Sequence, residues 1–182
     1  MTEPRPEMTE RRPKTTERLE IRRVDEASWR TYRDVRLAML LDTPRAFGST
    51  YAREAAFSES VWLDRVRGEA RTWLAGRGNL PLGSVTVFRF EEQAPDEARL
   101  VAMWVAGHAR GHGVGQALVE TALADARERG LRRVTLDVAD ENAAARKLYE
   151  RMGFRPTGRT STLPHSPDIP EVEMAHELSG TW

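Results

Sequence analysis

The chain has no cysteine. That excludes a disulfide framework, a thiol nucleophile and a thiolate metal site. It has almost no lysine either: apart from Lys14 and Lys147, 26 of its 28 basic residues are arginine. Net charge is missing as well, because 28 acidic residues balance the 28 basic ones. A balanced chain has no general pull toward nucleic acid or an anionic membrane surface. No apolar run approaches the length that spans a bilayer. The first eighteen residues are too polar for a secretory signal. The sequence therefore reads as a soluble cytoplasmic protein without nucleic-acid or membrane partners. Its 182 residues suffice for one domain with a full core.

Residues 1–16 carry three prolines and many charges, with little to bury. They read as a disordered tail, which leaves 17–182 as a single domain. Leu19, Ile21 and Val24 predict a first strand. Ser28 reads as the N-cap of a helix carrying Trp29, Tyr32, Val35, Leu37, Met39 and Leu40, ended by Asp42-Thr43-Pro44. Residues 45–57 read as a loop, and a short helix follows Ser58. Strands are expected at 72–75 and 84–90, joined by a turn containing Gly76, Gly78, Asn79 and Pro81. Another strand is expected at 99–105.

A helix over 114–129 shows Val114, Leu118, Ala122 and Ala126 at four-residue steps and stops at Gly130. A strand at 132–138 and a helix at 142–152 follow. Two last strands, 154–162 and 172–178, flank a loop punctuated by Pro164, Pro167 and Pro170. The order is that of an α/β fold, a mixed sheet with helices packed on it. The strands at 99–105 and 132–138, joined through a helix, are expected as parallel neighbours.

Between the 99–105 strand and the 114–129 helix lies Arg110-Gly111-His112-Gly113-Val114-Gly115. The first N–H groups of a helix have no partner within it, and the helix dipole adds partial positive charge there. Glycines let a ligand's oxygens approach those groups, so the segment is a candidate pyrophosphate site. A Rossmann fingerprint would need a glycine at Gln116 or at Leu118, and a place after the first strand. A P-loop would need Gly-Lys-Ser/Thr, which is absent.

What fits is R-x-x-G-x-G at Arg110, Gly113 and Gly115, with a second block of Asn142, Ala145, Tyr149, Gly153 and Phe154 in an N-x-x-A-x-x-x-Y-x-x-x-G-F pattern. These two motifs, with the strand order, resemble the GNAT superfamily of acetyl-CoA-dependent N-acetyltransferases over about residues 19–178. The resemblance implies a GNAT fold: a mixed, mostly antiparallel sheet of about seven strands, its central parallel pair splayed to hold CoA, flanked by four helices. It implies acetyl-CoA as cosubstrate, no metal, and a small-molecule or peptide amine as acceptor. It also implies that the backbones of Trp104 and Val105 meet the pantetheine arm. Arg110, Gly111, His112, Gly113, Val114 and Gly115 would cradle the pyrophosphate. Asn142 would cap its helix or contact the cofactor. Tyr149 would protonate the departing thiolate, a role open to a phenol that is neutral at physiological pH.

A general base is less visible. Many relatives carry a glutamate on the strand before the glycine loop, where this chain reads Ala102-Met103-Trp104. Asp137 and Glu54 are the candidates, with Glu59 a third; each has an ordinary surface or capping role as its alternative. The stretch from Arg36 to Thr50 resembles a bacterial GNAT group with R-L-x-x-L and P-x-A-F-G-S segments. There Phe47, Tyr51 and Glu54 would border the acceptor. The expected activity is direct acetyl transfer to a primary amine. The alternatives are a non-catalytic acyl-CoA-binding or regulatory module and an enzyme acting on a protein N-terminus or lysine. Exposed sheet edges offer a route to a homodimer.

Overall fold

The computed structural model describes residues 18–163 and 166–178. The expected tail, 1–16, and Pro164 lie outside the described residues. In chain order the elements are β1 (Glu20–Arg23), α1 (Trp29–Asp42), α2 (Tyr51–Ala55), α3 (Glu59–Arg67), β2 (Arg71–Arg77), β3 (Leu80–Phe88), β4 (Glu97–Val105), α4 (Val114–Glu128), β5 (Arg133–Ala139), α5 (Ala143–Arg151), β6 (Arg155–Leu163) and β7 (Ser166–Glu177). The strands form one sheet in the order β1-β2-β3-β4-β5-β7-β6. Every pairing is antiparallel except β4 with β5.

The described residues hold five α-helices where four were expected. The added one, α2, lies in the segment read as a loop. Thr50 caps it by accepting from the Arg53 N–H at 3.3 Å. A helix this short leaves too few residues for periodicity to detect. Strand β7 begins at Ser166, well before the expected strand. Pro167 and Pro170 fit because β5 reaches only to Glu171. Beyond that point β7 pairs on one side, where a missing N–H costs no ladder bond. Ser28 stands at the N-cap of α1 without capping it; its Oγ instead donates to Asp25 Oδ1 at 2.6 Å. Among the described residues no helix is long and apolar enough to cross a membrane.

The expected apolar face of α4 is the centre of the core: Val114, Leu118, Ala122 and Ala126 are each at most 1% exposed. They pack on one face of the sheet. Gly83 of β3 lies directly beneath them. A Cβ there would meet the Trp104 carbonyl oxygen at 2.7 Å and Leu118 Cδ1 at 2.9 Å. Helix α1 contributes Val35 and Met39 to the same continuous core and contacts β3 from the other face.

The three N-terminal helices are joined by one buried carboxylate. Glu54 is fully buried, with Oε1 accepting from Arg36 at 2.7 Å and Oε2 from Arg36 Nε at 3.0 Å. Arg65 of α3 adds a bond to Oε2 at 2.9 Å. Burial pushes this carboxyl up, but the Arg36 fork and then Arg65 outweigh it and hold it below the usual glutamate value. Trp62 packs edge-on against Tyr32 and Phe57, closing the apolar side of the same junction.

Gly83→Ala should cost about 2 kcal/mol, because a backbone oxygen cannot yield to the added methyl. Urea unfolding should show a lower midpoint with an unchanged slope. Glu54→Ala should cost about 3 kcal/mol by leaving the mostly buried Arg36 uncompensated. For the native chain the sign follows from the lowered carboxyl. The Glu54 contribution is complete above the ordinary glutamate range and is lost as pH falls through the folded-state value. Glu54→Ala should therefore remove part of the acid sensitivity of unfolding between neutral and strongly acidic pH.

Candidate active site

Strands β4 and β5 part company after a short ladder. Their parallel rungs are Glu97–Arg133, Ala98–Val134 and Arg99–Thr135. Beyond Arg99, β4 stays with β3 and β5 stays with β7. A bulge accompanies the parting: between the Thr86–Val101 and Ser84–Trp104 pairings, β4 holds one residue more than β3. Ala102 sits in it at φ +52°, alone among the described non-glycine residues in having positive φ. That conformation costs an L-residue about 1 kcal/mol or more. No residue type advertised it, since the position is alanine.

The bulge decides which backbone groups face the gap. Ala106 donates its N–H to Leu82 at 2.9 Å. Trp104, in phase with Ala106, turns its backbone the same way, while Val105 and Met103 turn theirs into the gap. Of Trp104 and Val105, the two residues expected to meet a pantetheine arm, Val105 turns its backbone into the gap and Trp104 turns its own toward β3. Trp104 is held instead by its indole N–H, which donates to Asp42 Oδ2 at 2.9 Å.

The glycine loop closes one end of the gap. Gly111 and Gly113 have φ of +77° and +80°, and no heavy atom lies within 4 Å of where their side chains would begin. Gly115 serves packing instead: a Cβ there would lie 3.1 Å from Leu148 Cδ2 and 3.4 Å from Met103 Cε. The first helical bond runs from Ala117 N–H to the Gly113 carbonyl at 3.0 Å. The N–H groups of Val114, Gly115 and Gln116 therefore have no partner within α4. This open, positively polarised cradle suits a diphosphate. Arg110 points its Nε to the Val105 carbonyl at 3.0 Å and pairs with Asp42 at 2.8 Å. His112 is exposed, with Nδ1 2.8 Å from the Arg110 carbonyl.

Helix α5 borders the gap on the α4 side. Asn142 caps it, accepting from the Ala145 N–H at 3.1 Å. Leu148 seats against Gly115, and the adjacent Tyr149 is buried with its ring edge-on to Phe154. Burial pushes the Tyr149 hydroxyl well above its ordinary value, so the phenol is protonated at neutral pH.

Carboxylates gather on the opposite face of the sheet. Arg99, at the last rung, reaches Asp137 at 2.6 Å and Glu173 at 2.7 Å. Thr157 donates to the other oxygen of Glu173 at 2.9 Å. Asp137 is raised by burial and by Glu173, against the pull of Arg99. Glu171 is raised by burial and by Asp137. The residues Arg99, Glu171 and Glu173 carried no motif signal. Strand register brings them together, pairing Asp137 with Glu173 and Ala139 with Glu171.

The residues expected to border the acceptor lie in and around α2. Glu54 has both oxygens committed to Arg36 and Arg65, away from solvent. Its surroundings favour the ionised, structural state over proton exchange. Phe47 lies under the Arg36 guanidinium at 5.4 Å, and Tyr51 is exposed. Glu59 is an exposed partner of Arg30 at 3.5 Å. Arg45, between α1 and α2, pairs with Asp168 of β7 and so ties this loop to the far side of the sheet.

Comparison with known proteins agrees with this geometry. Residues 19–154 match the model of the acetyltransferase (GNAT) family. A probable N-acetyltransferase of Mycobacterium tuberculosis is 30% identical over 118 residues, 62% of this chain and 66% of that protein. A mycothiol acetyltransferase of Beutenbergia cavernae is 46% identical over 66 residues, 35% of this chain and 22% of that protein. The chain thus matches between 22% and 66% of the length of these relatives. The ribosomal-protein-alanine N-acetyltransferase of Brucella melitensis has the same fold, with a TM-score of 0.70 at 21% identity over 87% of this chain and 99% of that one. Nourseothricin acetyltransferase is 30% identical, with a TM-score of 0.55 over 63% of this chain and 68% of that one. Family match, shared fold and the splayed parallel pair beside an open helix N-terminus lead to one conclusion: the chain belongs to the GNAT acetyltransferase family.

Proposed function

We propose that this chain transfers acetyl from acetyl-CoA to a primary amine by direct attack. The observation that carries this reading is the gap between β4 and β5, with free N–H groups of α4 at one end and carboxylates on its far face. The α4 N-terminus and the backbone at Gly111 and Gly113 would hold the pyrophosphate, and Val105 would face the thioester arm. The cosubstrate supplies an activated acyl group. The Val105 N–H would polarise its carbonyl.

Proton movements are assigned to two residues. An alkyl ammonium must lose a proton before it attacks. Asp137 takes it; its raised carboxyl is better matched to that task than an exposed aspartate. Tyr149 gives its phenolic proton to the departing thiolate, and the proton that the nitrogen sheds as the amide forms restores the phenol. One amide bond forms, one thioester bond breaks, and no residue is acylated. Glu54 shapes the acceptor side without exchanging a proton. The acceptor is a small-molecule or peptide amine carrying positive charge. Among the described residues, Arg99 is the one cation paired with the cluster of Asp137, Glu171 and Glu173, which leaves an excess of negative charge there. Relatives and structural neighbours are named for mycothiol, nourseothricin and a ribosomal-protein alanine, so the fold serves more than one acceptor.

The test is a panel of primary amines with acetyl-CoA, read as release of free CoA thiol. Turnover with a cationic amine is the expected result; tight CoA binding without turnover across the panel would instead support a binding module. Tyr149→Phe should lower kcat about 100-fold while the Kd for acetyl-CoA stays unchanged. Unaltered kcat removes Tyr149 from the reaction. In the wild type kcat/KM should rise with pH as Asp137 ionises, because only the carboxylate accepts a proton. That limb should lie above the range of an exposed aspartate. Asp137→Asn should abolish it, leaving only the rise due to the amine's own deprotonation.

A further inference from the structure

The end of β4 past the bulge is the most demanding segment of the site. It is paired with β3 on one side and with nothing in the sheet on the other. Its entry is a strained alanine, Ala102. Something outside the sheet has to fix where Val105 sits, and the structure supplies one such device. Asp42 is the last residue of α1. One of its oxygens, Oδ2, accepts from the Trp104 indole at 2.9 Å and from Arg110 at 2.8 Å. The same Arg110 donates its Nε to the Val105 carbonyl at 3.0 Å. One carboxylate thus holds the end of β4 through a side chain on one face and through a backbone oxygen at the gap.

The placement of Asp42 is costly for its own helix. An acidic residue at a helix C-terminus opposes the dipole. Two donors from elsewhere in the fold offset this, and neither belongs to α1. Arg110 is also committed. A fork that holds Val105 and Asp42 together is geometrically occupied, and a lysine cannot reproduce it.

We infer that Asp42 is a positioning residue for the donor site. Through Trp104 and Arg110 it sets the end of β4 that receives the thioester arm, and Arg110 acts through this clamp, not as a ligand of the phosphates. The inference rests on the donor reading given above and adds a residue that no motif contains. Because Asp42 immediately precedes the loop beside α2, the clamp also links the acceptor side to the donor side.

The test has a part that needs no ligand. In 15N-labelled protein, the indole N–H resonance of Trp104 is assigned with Trp104→Phe. Asp42→Asn should shift that resonance in the free protein, and an unmoved signal would overturn the clamp. Calorimetric titration then compares acetyl-CoA with 3′-phosphoadenosine 5′-diphosphate, which keeps both phosphates of the diphosphate and lacks only the pantetheine arm and its acyl group. Wild-type binding of acetyl-CoA checks the donor reading separately, before any variant is considered. Asp42→Asn, Arg110→Gln, Arg110→Lys and the double variant Asp42→Asn/Arg110→Gln should each weaken acetyl-CoA by about fivefold, the double no more than the singles. Binding of that armless nucleotide should be unchanged. Losses that multiply in the double variant, an affinity for the armless nucleotide that falls equally, or full retention by Arg110→Lys would show a direct phosphate contact and sink the inference. Unchanged far-UV circular dichroism establishes that each variant is folded.

Discussion

Two parallel strands that pair for three rungs and then separate are the constraint on which the rest of this molecule depends. Backbone N–H and C=O groups inside a domain need partners. A gap that leaves them facing inward is sustained only if the surroundings hold it open. Here β3 supports one wall and β7 the other, while α4 and α5 cover one face. The bulge at Ala102 is the local cost of this arrangement. Its benefit is phase: one extra residue turns Val105 toward the gap and Trp104 toward β3.

The same separation divides the chemistry by face. The α4 face offers hydrogen-bond donors and partial positive charge, which suit an anionic donor. The opposite face offers carboxylates around one arginine, which suit a cationic acceptor. The gap is the place where the two faces communicate. A protonated phenol on one side and a raised carboxylate on the other are produced by burial, not by unusual residues.

Arginine, the nearly exclusive cation of this chain, does most of the joining. Arg36 grips Glu54 with two nitrogens, Arg99 spans three strands, and Arg110 links backbone to carboxylate. Each task uses several donors in a fixed plane, which a lysine ammonium lacks. The arginine-rich composition carries no mechanism by itself, yet the fold draws on it at each junction of the site.

The sequence by itself determined the parts whose chemistry is local. The glycine loop, the Asn142 cap and Tyr149 were legible because a few residues of spacing set a turn or one face of a helix. Most of the order of elements along the chain and the buried stripe of α4 were legible for the same reason, through periodicity. Tertiary structure alone decided the rest. It made Glu54 a buried anchor, surrounded Asp137 with Glu171 and Glu173, and gave Asp42 a role in holding β4. Those residues meet across long stretches of chain, through strand register and helix packing, and no spacing rule encodes such contacts. The phase of β4 was equally hidden, because it hangs on a single alanine whose side chain does not differ from any other.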